Sequence, residues 1–282
     1  MPSQSGQVSA APTFQIGPEA FAKSRDTALW WLTNAGFLLN SHGVLLMIDP
    51  AISMHPESPG TSETGLRLLV SLPIEAARVP RLDAVLYTHA DDDHFPQATA
   101  RALLRTGARF IGPPPVTRRM LDLGLPEDRA HVARAGESFQ VHRIKITPTP
   151  ADHPWQLRDP QKFGPPWGPA DCCGYLIETR DGTIWCPGDT RLMDEHVQMQ
   201  NLDLLLLDVG HSEYHLGVEN AARLANLLDV PHLIPYHWGT YDAPDHPAYN
   251  GDPAEVAGKL RDAEKRFHTL APGERFQLRR AN

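Results

Sequence analysis

Along most of the chain, short apolar runs end abruptly at a turn or polar residue. Val44-Leu45-Leu46-Met47-Ile48 stops at Asp49-Pro50, and Ala84 to Thr88 is a second run of strand length. Arg143 to Pro148 alternates in part, with Ile144 and Ile146 on one face. Gly174 to Glu178 and Thr183 to Cys186 flank Arg180-Asp181-Gly182. An Asp-Gly step between two apolar runs predicts a tight antiparallel hairpin. The apolar run Leu204 to Val209 predicts a central strand, and His232 to His237 predicts another.

Helical spacing fills the intervals. Pro96 to Arg105 and Thr117 to Leu123 read as helices, and Gly217 to Leu228 puts Val218, Ala221, Ala222, Ala225 and Leu228 on one stripe. Asp252-Pro253-Ala254-Glu255 offers an N-cap, a proline at the first position and an early acid. It therefore predicts a further helix with Val256, Leu260, Ala263 and Phe267 as its buried stripe. Strand-rich segments with inserted helices, in two successive halves, predict an α+β fold of two face-to-face sheets with helices outside. A doubly wound parallel sheet is disfavoured by the antiparallel hairpin at 174–186.

Composition narrows this picture. With 282 residues, 41% hydrophobic and 21% charged, the chain fits an ordinary globular protein. The expectation is one domain, 14–282, behind a polar tail at 1–13 that is disordered or extended. A net charge of −8 argues against nucleic acid or an anionic membrane as partner. No apolar run approaches the roughly 18 residues of a membrane span. The tail shows neither the basic start nor the apolar stretch of an intact secretory signal. Cys172, Cys173 and Cys186 are an odd set with no CxxC spacing, which predicts free thiols and a reducing, cytoplasmic location.

The chemistry concentrates after the run at 84–88. Thr88-His89-Ala90-Asp91-Asp92-Asp93-His94-Phe95 places His89, Asp91, Asp93 and His94 within six positions at a strand end. Adjacent carboxylates gathered there repel one another and are costly to bury unless cations balance them. Three further donors follow in the same setting, where an apolar strand gives way to a turn: His153 in Pro-Ala-Asp-His-Pro, Asp189 in Pro-Gly-Asp-Thr, and His237 in Pro-Tyr-His-Trp-Gly. Together with the cluster they predict a site for a pair of divalent ions.

This series resembles the metallo-β-lactamase superfamily over roughly Leu32 to Phe276, and locally the branch similar to L-ascorbate-6-phosphate lactonase. Trp31 to Leu39 with Leu46 to Pro50 looks like that branch's opening hairpin; Gly217 to Ala222 through Ile234 to His237 looks like its closing helix and strand. The resemblance implies a four-layer αββα sandwich. It assigns His89, Asp91 and His153 to a first metal, and Asp93, His94 and His237 to a second, with Asp189 bridging. One departure is chemical. The family's usual loop carries histidine where this chain has Asp91, and a hard carboxylate moves the site from zinc toward manganese or iron.

The activity so implied is hydrolysis of a small-molecule lactone, ester or phosphoester by a hydroxide generated on two ions, manganese or zinc with iron also open. A lactonase leads, with a phosphodiesterase second. A tRNA-processing nuclease and β-lactam hydrolysis are disfavoured by the acidic charge and the missing export signal. Asp93 is both ligand and candidate proton acceptor, and His211 and His215 are candidate acids for the leaving group. Tyr236 is a candidate oxyanion donor, and Arg158, Lys162 and Arg191 are candidate anion clamps. The proline- and glycine-rich segment 155–171 is expected to arch over the mouth as a lid carrying Trp155 and Trp167. The alternative is a non-hydrolytic dimetal protein with a redox or sensing role. Homo-oligomerisation stays open.

Overall fold

The computed structural model describes residues 7–279. The opening meander is β1 (Thr27–Trp31), β2 (Phe37–Ser41) and β3 (Val44–Ile48). After the two-residue β4 (Arg67–Leu68) come β5 (Ala84–Leu86), β6 (Arg109–Gly112) and β7 (Ala130–Val132). The second half supplies β8 (Phe139–Val141), β9 (Ile144–Pro150), β10 (Cys173–Glu178), β11 (Thr183–Cys186), β12 (Leu204–Asp208) and β13 (His232–Tyr236). β14 (Tyr241–Asp242) pairs with β4, and β15 (Arg275–Leu278) returns to β1.

Two main sheets result. One has seven strands in the order β15-β1-β2-β3-β5-β6-β7, the other six in the order β13-β12-β11-β10-β9-β8. Each is antiparallel on one side and parallel on the other: β3, β5, β6 and β7 run parallel, as do β11, β12 and β13. The predicted hairpin forms in register, Tyr175 opposite Cys186, and it excludes an all-parallel sheet.

Strand alternation separates the layers. From β1 to β3, Leu29, Trp31, Phe37, Leu39, Leu46 and Ile48 face the second sheet, where they pack with Tyr175, Ile177 and Ile184. Their neighbours Ala28, Trp30, Leu38, Leu45 and Met47 face outward. They are covered by α1 (Gln97–Leu103) and α2 (Pro114–Asp122) through Ala100, Leu103, Val116 and Met120. The short α3 (Pro160–Phe163) lies in the expected lid. Outside the second sheet, α4 (Gly217–Leu228) buries Ala221, Ala222, Leu224 and Ala225. This is the expected sandwich of two sheets between helices.

The expected helix from 252 is interrupted. Asp252 caps it as predicted, accepting from the Ala254 amide at 2.8 Å, but α5 (Pro253–Ala257) ends at Gly258. A second short helix, α6 (Ala263–Arg266), starts after Asp262, whose φ is +50°. Asn226 on α4 stabilises the break. Its amide donates to the Lys259 carbonyl at 2.9 Å and its oxygen accepts from the Arg261 amide at 2.9 Å. A partner from another helix thus takes over backbone groups that a continuous helix would pair itself.

Of the expected tail, residues 1–6 lie outside the described residues. Farther on, the Ala10 amide donates to the Gly239 carbonyl at 2.9 Å and Thr13 donates to the Ser71 carbonyl at 2.7 Å. All three cysteines are free and buried. No helix among the described residues is long and apolar enough to cross a membrane.

Candidate metal centre

Every predicted donor arrives at one edge of the sandwich, just beyond the carboxyl end of a strand. The loop between β5 and α1 carries His89 to His94, and a turn in which the His94 and Phe95 amides both donate to the Asp91 carbonyl folds it tightly. β9 delivers His153 and β13 delivers His237. β11 delivers Asp189 through Gly188, whose φ of +70° and tight packing against Thr88 and the Cys173 carbonyl suit glycine alone. His237 holds a φ of +62°, a conformation that costs a non-glycine residue about 1–3 kcal/mol and must be fixed by its surroundings. Its carbonyl accepts from the Gly251 amide at 2.9 Å.

The imidazoles form a closed ring. Centroids are 4.1 Å apart for His89–His94, 5.2 Å for His94–His237, 5.2 Å for His237–His215, 5.0 Å for His215–His153 and 5.0 Å for His153–His89. Asp189 reaches into the middle. Its Oδ2 lies 3.1 Å from His94 Nε2, 3.6 Å from His215 Nε2 and 3.8 Å from His153 Nε2. Among the described residues, donor atoms converge in three groups: Asp93, His94, Asp189 and His237; Asp189, Asp208, His215 and His237; and His89, Asp91 and His153.

The outward ring nitrogens are all engaged. Nδ1 of His94 meets Asp49 Oδ2 at 2.9 Å, Nδ1 of His237 meets Asp208 Oδ1 at 3.1 Å and Nδ1 of His215 meets Asp208 Oδ2 at 2.7 Å. Nδ1 of His153 donates to the Tyr214 carbonyl at 2.9 Å, and Nδ1 of His89 lies 3.0 Å from Thr88 Oγ1. Such partners fix the tautomer and aim Nε2 inward. Among the described residues, Nε2 of His89, His94 and His237 and Oδ1 of Asp189 are buried with no hydrogen-bond partner. Unpaired donors of this kind are expensive unless a cation takes them up, so the residues present fit bound divalent metal.

The electrostatics agree. Burial alone would push the Asp93 and Asp189 carboxyls up, but neighbouring imidazoles hold both below the usual carboxylate range. Burial likewise drives His94 down, while Asp189, Asp93 and Asp49 drive it well above an ordinary histidine. Carboxylates at this density demand positive charge, which divalent ions supply without protonating the donors.

Some expectations land elsewhere. His211 joins none of these groups; its Nε2 lies 3.3 Å from Glu255 on α5. Tyr236 is buried and donates to the Gly188 carbonyl at 2.8 Å, so it supports the Asp189 turn and offers no proton to an oxyanion. Arg191 is paired with Asp152. Sequence reasoning missed Asp49, Asp208 and Asn34. Asn34 donates from Nδ2 to Asp93 Oδ2 at 3.1 Å and to the Asp93 carbonyl at 3.2 Å. It also missed Tyr249, whose ring sits 6.4 Å from that of His237. The Asp93 charge, then burial, raises that phenol's pKa. Asp49 ends an apolar run, the one signal available in the sequence, whereas Asp208 lies inside one.

Comparison with known proteins bears on the family and the fold. A protein of Myxococcus xanthus named UPF0173 metal-dependent hydrolase is 29% identical over 261 residues, covering 90% of this chain and 84% of that protein. Among solved structures, Igni18 of Ignicoccus hospitalis, described as a metallo hydrolase, superposes with a TM-score of 0.67 at 23% identity, covering 89% of this chain and 97% of its own. A possible metal-dependent hydrolase of Veillonella parvula gives 0.71 at 18% identity, covering 90% and 100%. At these identities the structural likeness concerns fold alone. The model of the beta-lactamase superfamily domain matches residues 46–238, and the chain belongs to that family.

Proposed function

We propose that the protein is a dinuclear metal-dependent hydrolase of a small-molecule lactone, ester or phosphoester. The observation that carries this reading is the set of inward-facing, unpaired Nε2 and carboxylate atoms around Asp189. His89, Asp91 and His153 would hold one ion and Asp93, His94 and His237 the other, with Asp189 between them. Two divalent ions in that position would lower the pKa of a shared water toward about 7 and polarise the substrate's oxygen. The chain's own groups do the rest. Asn34 donates to Asp93 Oδ2 and orients the carboxylate that would accept a proton from the attacking water.

The leaving group needs a donor, and His215 is suited to it. Its ring is buried, and Nε2 faces the cluster 3.6 Å from Asp189. Burial lowers its pKa, but the Asp208 carboxylate, 2.7 Å from Nδ1, favours the protonated ring. A ring so anchored can pass its Nε2 proton to an alkoxide and recover it from solvent. Lactones are the leading substrates, on the resemblance to the lactonase branch, with phosphodiesters second.

One observation favours the non-hydrolytic alternative: Asp91 adds a hard oxygen donor where imidazole is usual, which suits iron. A single experiment separates the readings. Chelator-treated protein is supplied with manganese, zinc or iron and assayed on a panel of lactones, aryl esters and bis-aryl phosphates. Turnover restored by manganese or zinc, and reduced about 10²–10⁴-fold in His215→Ala for substrates with poor leaving groups, is the expected result. A coloured, iron-loaded protein inert toward the whole panel overturns the hydrolase.

A further inference from the structure

Asp91 departs from the donor type the family resemblance implies, and its surroundings depart with it. The segment that starts two residues after His153 sends two indoles onto this one carboxylate. Trp155 Nε1 donates to Asp91 Oδ2 at 2.6 Å, and Trp167 Nε1 donates to Asp91 Oδ1 at 3.1 Å. The two tryptophans stand at opposite ends of the segment. Gln156, which is buried, closes it on itself by accepting from the Trp167 amide at 3.0 Å. Phe163 packs on Trp155 with centroids 4.8 Å apart. The same Oδ2 lies 3.2 Å from His89 Nε2 and 3.6 Å from His153 Nε2, on the side where those donors converge.

The stereochemistry of the two donor types explains why these features occur together. A carboxylate has lone pairs for a cation and for two N–H groups at once. An imidazole bound through Nε2 has a single nitrogen left, and it usually donates rather than accepts. Histidine at position 91 would therefore leave both indoles without an acceptor. Elsewhere in the cluster the donors are backed by strand-end carboxylates, a neighbouring hydroxyl, a backbone carbonyl or the Asn34 amide; among the described residues, only Asp91 is backed from the 155–171 segment.

We propose that Trp155 and Trp167 are positioning residues of the first-metal site: their N–H groups hold Asp91 in its ligating orientation, and through it the segment 155–167 is fastened over the site. This rests on the dinuclear reading above. It makes lid closure and binding of the first ion two sides of one equilibrium, each favouring the other by the same factor.

The test compares wild type with Trp155→Phe, Trp167→Phe and the double variant, which keep an aromatic ring and lose the N–H. Manganese and zinc affinities are measured by chelator competition, and backbone hydrogen exchange over 155–167 is followed with and without ion. Loss of an outer partner typically weakens metal affinity 10–100-fold. The double variant is expected to bind one of its two ions at least tenfold less tightly, to keep the other ion at wild-type affinity, and to exchange faster over 155–167. Each single variant should fall between. In wild type, ion binding should slow exchange over the same residues. Faster exchange with both affinities unchanged means the indoles shape only the loop, and overturns the proposal. So does an unchanged double variant beside a wild type that takes up two ions. A wild type that takes up no ion removes the dinuclear reading itself, and this inference with it.

Discussion

The two halves of the proposed centre are built differently. Around Asp93, His94 and His237 both imidazoles are fully buried, and each is backed by a carboxylate from a strand end, Asp49 for His94 and Asp208 for His237. Around His89, Asp91 and His153 the backing is neutral, a hydroxyl and a carbonyl, and Asp91, 14% exposed, accepts from the Trp155 and Trp167 indoles. A carboxylate behind a ligating imidazole makes it a stronger donor than a neutral acceptor does. On the proposed assignment the first half is the more strongly donating pocket. The second is tied through Asp91 to the 155–167 segment, and it is the half where exchange and metal selectivity should reside.

The sharpest way to break this contrast is at its carboxylate-backed side. Asp93→Ala removes a proposed ligand together with the proton acceptor, and should abolish turnover and one metal equivalent in elemental analysis. Full activity in that variant would dissolve the assignment of the loop. Asp208→Asn should come next. It keeps the shape but takes the charge from behind both His237 and His215, so a 10–100-fold loss of affinity at the tighter site is expected by chelator competition. An equal loss at both sites would contradict the asymmetry.

Asp91→His probes the open side. It should shift preference from manganese toward zinc, read as the ratio of the two affinities, and unfasten residues 155–167 in hydrogen exchange. Unchanged selectivity would remove the account of this departure. The smallest effect belongs to Asn226→Ala, far from the metals, where two hydrogen bonds across the α5–α6 break are lost. About 1–3 kcal/mol of stability should go, measured by denaturant unfolding, with metal content unchanged. A variant as stable as wild type would mean the break needs no such partner.

The same contrast decides what could be read from the sequence. His89, His94, His153, Asp189 and His237 were legible because each follows an apolar strand, and strands of one sandwich end along a common edge. The supporting carboxylates were not. Asp208 sits inside the apolar run 204–209 and was read through as strand, and Asp49 before Pro50 looks like an ordinary turn residue. Only pairing β12 with β13 in parallel brings Asp208 beside the strand that delivers His237. Trp155 and Trp167 could be placed on a lid from composition, yet their common acceptor lies 64 and 76 residues away. The helix after Asp252 was misjudged in length because its stripe keeps helical spacing across Gly258. The break depends on Asn226, which local periodicity cannot see.

Stepwise loading of chelator-treated wild-type protein with manganese, followed by calorimetry, tests the central claim most directly. The account predicts two ions per chain in two resolved steps, with the tighter step lost in Asp93→Ala and the weaker step lost in Asp91→Ala. A chain that takes up no ion, or two ions in one step that both variants weaken equally, would contradict it.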